Sequence, residues 1–502
     1  MNTVTLPLEI FLHIFLYLSI EDILALRQTC KDLQAMTQSR SVWSLLYQTY
    51  VLEQDIPTPQ ISNERPIESM AAHDLEGMTI RSLRLRNKWT SAFPLAARKT
   101  TIMSQPTTDG NPLPRVIGLH FLPGHGARWL ISVHALHIGG QVVFTVRNWD
   151  LLANPPIQTS CLTSDAFSGL AINAQAEQPS VLAVQRPHLE IYSMDSEGIL
   201  EQEKTFPDHR RRLLAFAGST VVFTANDNGS LGIMNVDDPT TEASLFNPAN
   251  SQVPHLFPYI ILADPDHALQ PDECHSVFVH ADFLMALRGK TFEIYDLFIF
   301  RNADPELGEP RRTLEAVACH KWQWRLDSGC LVPQVSHSAA QHKSLPPIYI
   351  LARFGSWFPW PVNILHHIQL APNPAYNNSL VVSQTNLPYI MPPAIIQTIA
   401  SPIRLFSITH MVLGKYGSAV WIDTHTEDYY APDCGQRLAG YCLKHVPDDS
   451  DIGASEIQQT TVASTMFDLN EQDTWVRLAI DEAEGRLATG YSNGKITIYD
   501  YA

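Results

Sequence analysis

The sequence predicts an α+β multidomain protein in which a small N-terminal helical module precedes a much larger, mainly-β domain. Three observations support this: apolar residues recur at helical spacing before about residue 50, they alternate as in strands after about residue 115, and the strand segments repeat with similar turns. A chain of 502 residues has room for roughly two to three domains. We place the boundaries at 1–52 for the helical module, 53–114 for a linker and 115–502 for the β domain.

The charge balance and the cysteine usage narrow the range of functions. The formal net charge of -17 argues against binding nucleic acid, because phosphate binding needs a cationic surface. The seven cysteines are scattered and form no Cys-x-x-Cys pair, which suits reduced thiols in the cytoplasm or nucleus. Glu9 and His13 interrupt the first apolar run, and no stretch approaches the roughly 20 apolar residues of a membrane span. We therefore expect no membrane attachment.

Residues that favour helix N-termini and apolar residues at helical spacing predict the helical module. Pro7 suits the first turn of a helix, where its missing N–H would have no partner. Ser19 can cap a second helix, with Asp22 three residues later. The first helix bears a broad apolar face: Ile10, Phe11, Leu12, Ile14, Phe15 and Leu18. So short a segment cannot bury this face alone, and we expect another chain to cover part of it.

The order of these features over residues 6–46 resembles the F-box family. The matching positions are Leu6-Pro7, Glu9, Leu18-Ser19, Asp22, Leu26 with Cys30, and Val42-Trp43. The sequence departs from the family at Ile20, where Pro is common, and at Leu33, where an aromatic residue is frequent. Both departures keep an apolar side chain, so neither removes a packing contact.

The resemblance implies a specific kind of partner. F-boxes bind the small adaptor protein that links them to a cullin–RING ubiquitin ligase, so the module is expected to bind such an adaptor. Carried over position by position, the adaptor-facing residues are Leu6, Pro7, Ile10, Ile14, Leu18, Ile23 and Leu24. Leu26, Leu33 and Trp43 are expected to hold the helices to one another. The alternative is a helical cap that packs wholly onto its own chain.

Residues 78–108 form a local charge inversion in this acidic chain. They contain no acidic residue, and their basic residues are Arg81, Arg84, Arg86, Lys88, Arg98 and Lys99. Such a segment can bind an acidic partner, or it can be solvated, or it can tie the helical module to an acidic flank of the next domain. We favour the two structural interpretations over a binding patch.

The β domain contains a repeat that is typical of β-propeller blades. Large residues at equivalent strand positions, Trp149, Tyr192 and Met234, lie 43 and 42 residues apart, and Tyr295 follows after 61. Blades of this length are four-stranded sheets that cover their faces by stacking around a central axis. The C-terminal segment 474–502 resembles a WD-repeat unit. We predict about seven blades, with about six or eight as open alternatives, and an irregular pair of β-sandwiches as the competing fold.

The sequence holds no motif that predicts catalysis or a cofactor. Glycine-rich phosphate loops, G-x-S-x-G and H-E-x-x-H are absent. His366 and His367 are adjacent and would point to opposite faces of a strand, so they predict no shared metal. The other clustered histidines are likewise not expected to bind metal: His120, His125, His134 and His137. Three acids are expected to be solvated at a hairpin tip: Asp481, Glu482 and Glu484.

Two segments are candidates for binding a target protein. Arg210, Arg211 and Arg212 form a basic triplet in an expected loop between blades, where partner contacts are common. Trp357 and Trp360 lie in a loop stiffened by proline, which lowers the entropy lost on binding. A further tryptophan, Trp322, is expected to be buried between blades.

These features predict a non-catalytic substrate-receptor subunit of an SCF-type (cullin–RING) E3 ubiquitin ligase. The helical module would bind the adaptor, and the propeller would bind a target protein that the sequence does not identify. Two alternatives stay open: an adaptor-binding scaffold that directs no ubiquitination, and an enzyme with its site in the central channel of the propeller.

Overall fold

The computed structural model describes most of the chain, and the structural statements below concern the described residues. These are 7–58, 67–103, 113–207, 212–224, 230–238, 242–247, 272–301, 312–335, 345–355, 362–402, 410–424, 435–443, 459–462 and 465–502. The helices are α1 (Leu8–Phe15), α2 (Ile20–Arg27), α3 (Lys31–Thr37), α4 (Arg40–Tyr47), α5 (Ala72–Trp89) and the short α6 (Phe298–Arg301). A π-helical turn, Gln48–Leu52, extends α4, and a 3-10 turn, Ile67–Ser69, precedes α5.

The helical module follows its sequence signals. Ser19 caps α2, because its hydroxyl accepts the Asp22 N–H at 3.1 Å while the Asp22 carboxylate accepts the Ser19 N–H at 3.3 Å. The module has one hydrophobic core, which includes Phe15, Ile23, Val42, Trp43, Leu46, Tyr47 and Leu75. The Trp43 indole N–H donates to the Thr37 carbonyl at 2.8 Å, so the buried ring keeps its hydrogen bond. The prediction that Trp43 holds the helices together is confirmed.

The described residues of the β domain form 29 strands, and 28 of them make seven antiparallel groups of four, here called blades 1 to 7. Blade 1 contains β2 (Arg115–Phe121), β3 (Trp129–Ile138), β4 (Gln141–Asp150) and β5 (Ile157–Ser164); blade 2 contains β6 (Gly169–Ile172), β7 (Ser180–Gln185), β8 (His188–Met194) and β9 (Leu200–Pro207). Blade 3 contains β10 (Arg212–Ala217), β11 (Thr220–Thr224), β12 (Leu231–Asn235) and β13 (Glu242–Phe246); blade 4 contains β14 (Cys274–Val279), β15 (Phe283–Arg288), β16 (Thr291–Asp296) and β17 (Arg312–Lys321).

The remaining blades follow the same order. Blade 5 contains β18 (Leu326–Pro333), β19 (Ile348–Phe354), β20 (Val362–Leu370) and β21 (Ala394–Pro402); blade 6 contains β22 (Met411–Leu413), β23 (Ser418–Thr424), β24 (Gln436–Cys442) and β26 (Thr465–Asn470). Blade 7 contains β27 (Trp475–Asp481), β28 (Arg486–Tyr491), β29 (Ile496–Asp500) and, as its outer strand, β1 (Arg98–Ile102). The extra strand β25 (Gln459–Val462) pairs in parallel with β21, and β13 pairs in parallel with β17.

The pairing of β1 with β29 joins the early part of the chain to its last strand. The two strands are antiparallel, with register from Arg98 opposite Asp500 to Ile102 opposite Ile496. The β domain therefore starts at β1, before the boundary that the sequence placed at residue 115. Helix α5 also lies within the segment that the sequence analysis treated as a linker.

Hydrophobic clusters fill the space between consecutive blades. There are seven such clusters among the described residues, one at each interface. Between blades 7 and 1, Ile102 and Ile498 pack with Val116 and Leu130. Each large apolar side chain buried in this way contributes about 1.5–3 kcal/mol. Because the interface from the last blade to the first is also filled, the ring is closed, and the predicted propeller is confirmed.

The equivalent positions inferred from the repeat coincide in the structure. Trp149, Tyr192, Met234 and Tyr295 all lie near the end of the third strand of their blades, in β4, β8, β12 and β16. The longer interval before Tyr295 includes residues 248–271, which lie outside the described residues. The repeat in the sequence was therefore read in the correct register.

A polar network is buried inside blade 4 and recurs in blade 2. Arg288 Nε lies 2.9 Å from Glu293 Oε2, which also accepts from the Tyr295 hydroxyl at 2.6 Å. The corresponding residues of blade 2 are Arg186, Glu190 and Tyr192. Burial raises the pKa of both tyrosines, so their hydroxyls stay protonated and keep donating to the carboxylates. The network of blade 4 links its second and third strands, and that of blade 2 links the third strand to the turn before it.

The turn after β27 differs from the solvated acidic tip that the sequence suggested. Glu482 is 6% exposed, and its carboxylate oxygens accept the N–H groups of Tyr416 and Ser418, each at 2.7 Å. These bonds fasten blade 7 to the β22–β23 turn of blade 6. Gly414 permits the close approach, since a Cβ there would lie 2.0 Å from the Glu482 carboxylate. The expectation was wrong for Glu482 because a neighbouring blade covers the turn.

The buried network of blade 4 generates a stability prediction. Glu293→Ala leaves Arg288 buried without this carboxylate, and breaking a buried pair costs about 3–5 kcal/mol. We expect a loss of this size in the free energy of unfolding from denaturant titration. The matched control is Glu273→Ala, because Glu273 pairs with Arg212 at 3.2 Å on the surface, where such a pair contributes at most about 1 kcal/mol. Equal losses in the two variants would contradict the role given to Glu293.

Glu482 generates a prediction of pH dependence. Burial raises its pKa from 4.5 to about 6. The folded protein therefore holds this proton more tightly than the unfolded chain, and the contribution of Glu482 to stability falls as pH rises through that window. The change amounts to about 2 kcal/mol, and we expect Glu482→Gln to remove it from thermal unfolding measured between pH 4.5 and 6.5. A slope that persists unchanged in the variant would assign it to other groups.

Candidate functional site

The outer face of α1 leaves apolar side chains in solvent. Ile10 and Ile14, one helical turn apart, are 45% and 40% exposed, and Tyr17 in the following turn is 89% exposed. Phe15 faces the opposite way and is 1% exposed. Single exposed apolar residues are common, but two on one helix and a third in the turn after it form a surface that another chain can cover. We name Ile10, Ile14 and Tyr17 the α1 stripe.

The residues predicted to face an adaptor fall into four groups. Leu6 lies outside the described residues. Those that are exposed are Pro7, Ile10 and Ile14. Those that are half-buried are Leu18 and Leu24. Ile23 has no accessible surface and packs in the module core, so its side chain cannot form part of a docking face. Tyr17 was not among the predicted residues, although it follows Ile14 at the helical spacing of the stripe.

A groove of about 280 Å³ continues from the α1 stripe. Its first wall is the α1–α2 junction, with Tyr17, Leu18 and Leu24. Its second wall is α5, with Ile80, Leu83 and Arg84. The Tyr50 hydroxyl, which also lines the groove, donates to the Leu16 carbonyl and ties α1 to the π-helical turn after α4. The groove is therefore shared between the helical module and the helix that follows it.

Helix α5 packs on both the module and the propeller. Toward the module, Leu75 is buried in the module core, and Glu76 forms an ion pair with Arg27 at 2.8 Å. Toward the propeller, Trp89 contacts the ring of Tyr501 with 5.2 Å between centroids, in the cluster between blades 6 and 7. Leu85 lies so close to Gly485, whose φ is +67°, that a Cβ there would meet the Leu85 side chain at 2.4 Å. The helix thus sets the position of the module on the ring.

Basic side chains of residues 78–108 strengthen this attachment. Arg81 pairs with Glu484 of blade 7 at 2.6 Å, and Lys99 pairs with Asp468 of blade 6 at 2.6 Å. Lys88 Nζ donates to the Tyr501 carbonyl at 3.0 Å. The Arg81 and Lys88 contacts fit the expectation that the basic segment ties the helical module to the β domain, whereas Lys99 lies in β1 and joins blade 7 to blade 6.

A second contact between module and propeller passes through Thr58. Thr58 hydrogen-bonds to Tyr47 of α4 and to Tyr416 of the β22–β23 turn. Burial raises the pKa of Tyr47 to about 12, so its hydroxyl stays protonated at neutral pH. The helical module is therefore held against blades 6 and 7 at two separate places.

The candidate target-binding residues are only partly within the described residues. Arg210, Arg211, Trp357 and Trp360 lie outside them. Arg212 begins β10, is exposed, and pairs with Glu273 at 3.2 Å. Trp322 is buried between blades 4 and 5, as predicted, whereas its neighbour Trp324 is 56% exposed.

The adjacent histidines of β20 pack against aromatic rings. His366 contacts Phe354 and His367 contacts Tyr349, and these two aromatic rings belong to the clusters on opposite sides of blade 5. The prediction that the adjacent histidines point to opposite faces is confirmed. Burial lowers the pKa of His120 to about 4 and that of His134 to about 3. In the described part of the chain, no three His, Cys, Asp or Glu side chains form a group able to hold a metal ion. No helix there has the length and apolar character to cross a membrane.

A family model matches the N-terminal part of the chain. Residues 3–49 match the model described as F-box-like. This domain is followed by the mainly-β, propeller-like domain described above. No curated protein matches the chain.

Solved structures with a similar fold have low sequence identity. A chain of "Humanized mutant of the Chaetomium thermophilum Polycomb Repressive Complex 2 bound to the inhibitor GSK343" has a TM-score of 0.45 and 10% identity, covering 81% of this chain and 98% of that chain. "Crystal structure of Sqt1 from Chaetomium thermophilum solved by MR" has a TM-score of 0.42 and 10% identity, covering 78% and 97%. Likenesses this distant say nothing about function, and the fold assignment here rests on strand pairing.

The packing of α5 generates a prediction about local opening. Trp89→Ala removes the aromatic contacts to Phe467 and Tyr501, and truncating a buried tryptophan costs about 3–5 kcal/mol. We expect amide hydrogen exchange in 72–89 to rise at least about tenfold, while the strands of blades 2 to 4 keep their protection. Trp324→Ala is the control, because Trp324 is 56% exposed. Unchanged exchange in α5 would show that Trp89 does not anchor the helix.

Proposed function

We propose that this chain is a non-catalytic substrate-receptor subunit of an SCF-type cullin–RING ubiquitin ligase. The F-box-like domain would bind the ligase adaptor, and the propeller would bind the protein to be ubiquitinated. The observation that supports this most directly is the α1 stripe, which lies inside the F-box-like domain and is not covered by the rest of the described chain.

The adaptor would stabilise the complex mainly by covering apolar surface. Ile10, Ile14 and Tyr17 together present adjacent apolar surface, and its removal from water is worth about 25 cal/mol per Å². Pro7 and the half-buried Leu18 and Leu24 lie beside the stripe and extend it. Aromatic anchors such as Tyr17 are common energetic centres of protein interfaces. The stripe is thus suited to a protein partner with a complementary apolar face.

The attachment of α5 to the propeller gives the proposed receptor a fixed geometry. A target bound on the ring would be held at a set distance from the ligase's ubiquitin-charged enzyme, because α5 packs on both domains. Tethering of this kind makes the transfer nearly intramolecular and raises the effective concentration of the target lysine. The receptor itself would contribute binding and orientation and would make no bond.

The cysteines are consistent with a reducing compartment. The described residues contain six cysteines, all unpaired, and Cys30, Cys161 and Cys319 among them are exposed. Exposed thiols persist in the cytoplasm and nucleus, where disulfides are rare. We place the proposed receptor in one or both of these compartments.

The α1 stripe generates a binding prediction. Ile10→Asp combined with Ile14→Asp places two charges where the adaptor would cover apolar surface, and we expect affinity for a recombinant SCF adaptor to fall at least about 100-fold. Leu152→Asp is the matched control, because Leu152 is 65% exposed on blade 1 and lies outside residues 3–49. Circular dichroism would verify that all three proteins remain folded.

Two results would decide against the proposal. Adaptor binding that survives the double substitution would remove the α1 stripe from the interface. In cells, proteins captured on the propeller should accumulate when Ile10 and Ile14 are replaced; a captured partner whose turnover is identical with both forms would argue for a scaffold without ubiquitination.

A further inference from the structure

The groove between the α1–α2 junction and α5 is open and mainly apolar. Its volume of about 280 Å³ lies just under the range of about 300–1,000 Å³ that is usual for small-molecule sites. The size therefore fits one or two large side chains better than a cofactor. The groove begins at Tyr17, which is also the last residue of the α1 stripe. The exposed apolar surface of α1 and the groove are thus continuous.

Helix α5 has a second face that this chain covers only in part. The inward face is buried by the module and the propeller and includes Leu75, Thr79, Ser82, Leu85 and Trp89. The groove face is at helical spacing and consists of Ile80, Leu83, Arg84 and Asn87. Ile80 and Leu83 remain half-buried, and Arg84 and Asn87 are exposed. Such an amphipathic face is typical of a helix that contacts a further protein element.

Arg84 differs from its basic neighbours on α5. Arg81 is paired with Glu484, Lys88 donates to the Tyr501 carbonyl, and the Arg86 guanidinium contacts the Cys442 sulfur at 3.0 Å. Among the described residues, Arg84 has no such partner, and it stands at the mouth of the groove. A guanidinium beside an apolar groove can bind a carboxylate through a bidentate pair of hydrogen bonds. The groove therefore combines an apolar floor with one available cationic contact.

We propose that the adaptor's footprint extends beyond the F-box-like domain into this groove, where a large apolar side chain of the adaptor inserts between Tyr17 and Leu83. An acidic residue of the same adaptor segment pairs with Arg84. This inference rests on the proposed function, because the adaptor is the protein expected on the adjoining α1 stripe. It adds α5, which lies outside the matched residues 3–49, to the surface that the adaptor recognises.

This arrangement has a consequence for the orientation of the ligase complex. The opposite face of α5 packs against blades 6 and 7 through Leu85 and Trp89. An adaptor bound to the groove face would contact α5, the helix that sets the position of the propeller relative to the module. The adaptor then constrains the direction in which the ring presents a bound target, in addition to binding the F-box-like domain.

The test measures binding of the recombinant adaptor to the full chain by titration calorimetry. Leu83→Ala shortens the apolar wall and Arg84→Glu reverses the charge at the groove mouth; we expect each to weaken binding about tenfold. Lys321→Glu is the matched charge control, because Lys321 is exposed at the end of β17 in blade 4. The Arg84→Glu effect should shrink as salt is raised, since it is electrostatic. Circular dichroism and hydrogen exchange of α5 would check that the variants fold.

The outcomes separate this inference from the proposed function. If the double substitution at Ile10 and Ile14 abolishes binding while Leu83→Ala and Arg84→Glu bind as the parent chain does, the groove inference fails and the proposed function stands. If the unaltered chain does not bind the adaptor, both fail. If all these variants weaken binding, the Lys321→Glu control does not, and amides 80–87 become protected in the complex, the extended footprint is supported.

Discussion

The pairing of β1 with β29 is the constraint on which the rest of the structure depends. It completes blade 7 with a strand from the beginning of the β domain, so the interface between blades 7 and 1 can be filled by one hydrophobic cluster. Because α5 ends at Trp89, shortly before β1, closing the ring also brings this helix against blades 6 and 7. The position of the F-box-like domain is thus a consequence of ring closure as well as of its own packing.

Within the ring, the buried carboxylates of Glu190 and Glu293 are each paired with an arginine and a tyrosine. The Arg288–Glu293–Tyr295 network of blade 4 recurs in blade 2, and in both blades a Glu-Ile-Tyr tripeptide on the third strand marks it. The sequence repeat was predicted from paired strand segments that close on a large residue, and the shared tripeptide is a further signal of the same register. The Glu482 carboxylate links blades 6 and 7, because it accepts two backbone N–H groups of the β22–β23 turn. Such pairing keeps carboxylates inside a domain whose interfaces are otherwise apolar.

In the helical module, by contrast, apolar side chains remain exposed to solvent. Its core is well filled around Trp43, yet Ile10, Ile14 and Tyr17 stay in solvent and lead into the groove beside α5. The exposed surface therefore agrees with a role in binding a partner, which is the basis of both proposals.

The sequence by itself determined the local structure and its order along the chain. Helical spacing, the Ser19–Asp22 capping pair and the strand repeat follow from contacts between near neighbours, and the structure agrees with them. Only the tertiary structure decided which apolar side chains are covered. Ile23 and Tyr17 are both apolar residues of the module, but Ile23 is buried and Tyr17 is 89% exposed. The difference arises because burial depends on which distant segments, here α4 and α5, pack against each residue, and local spacing does not encode those contacts.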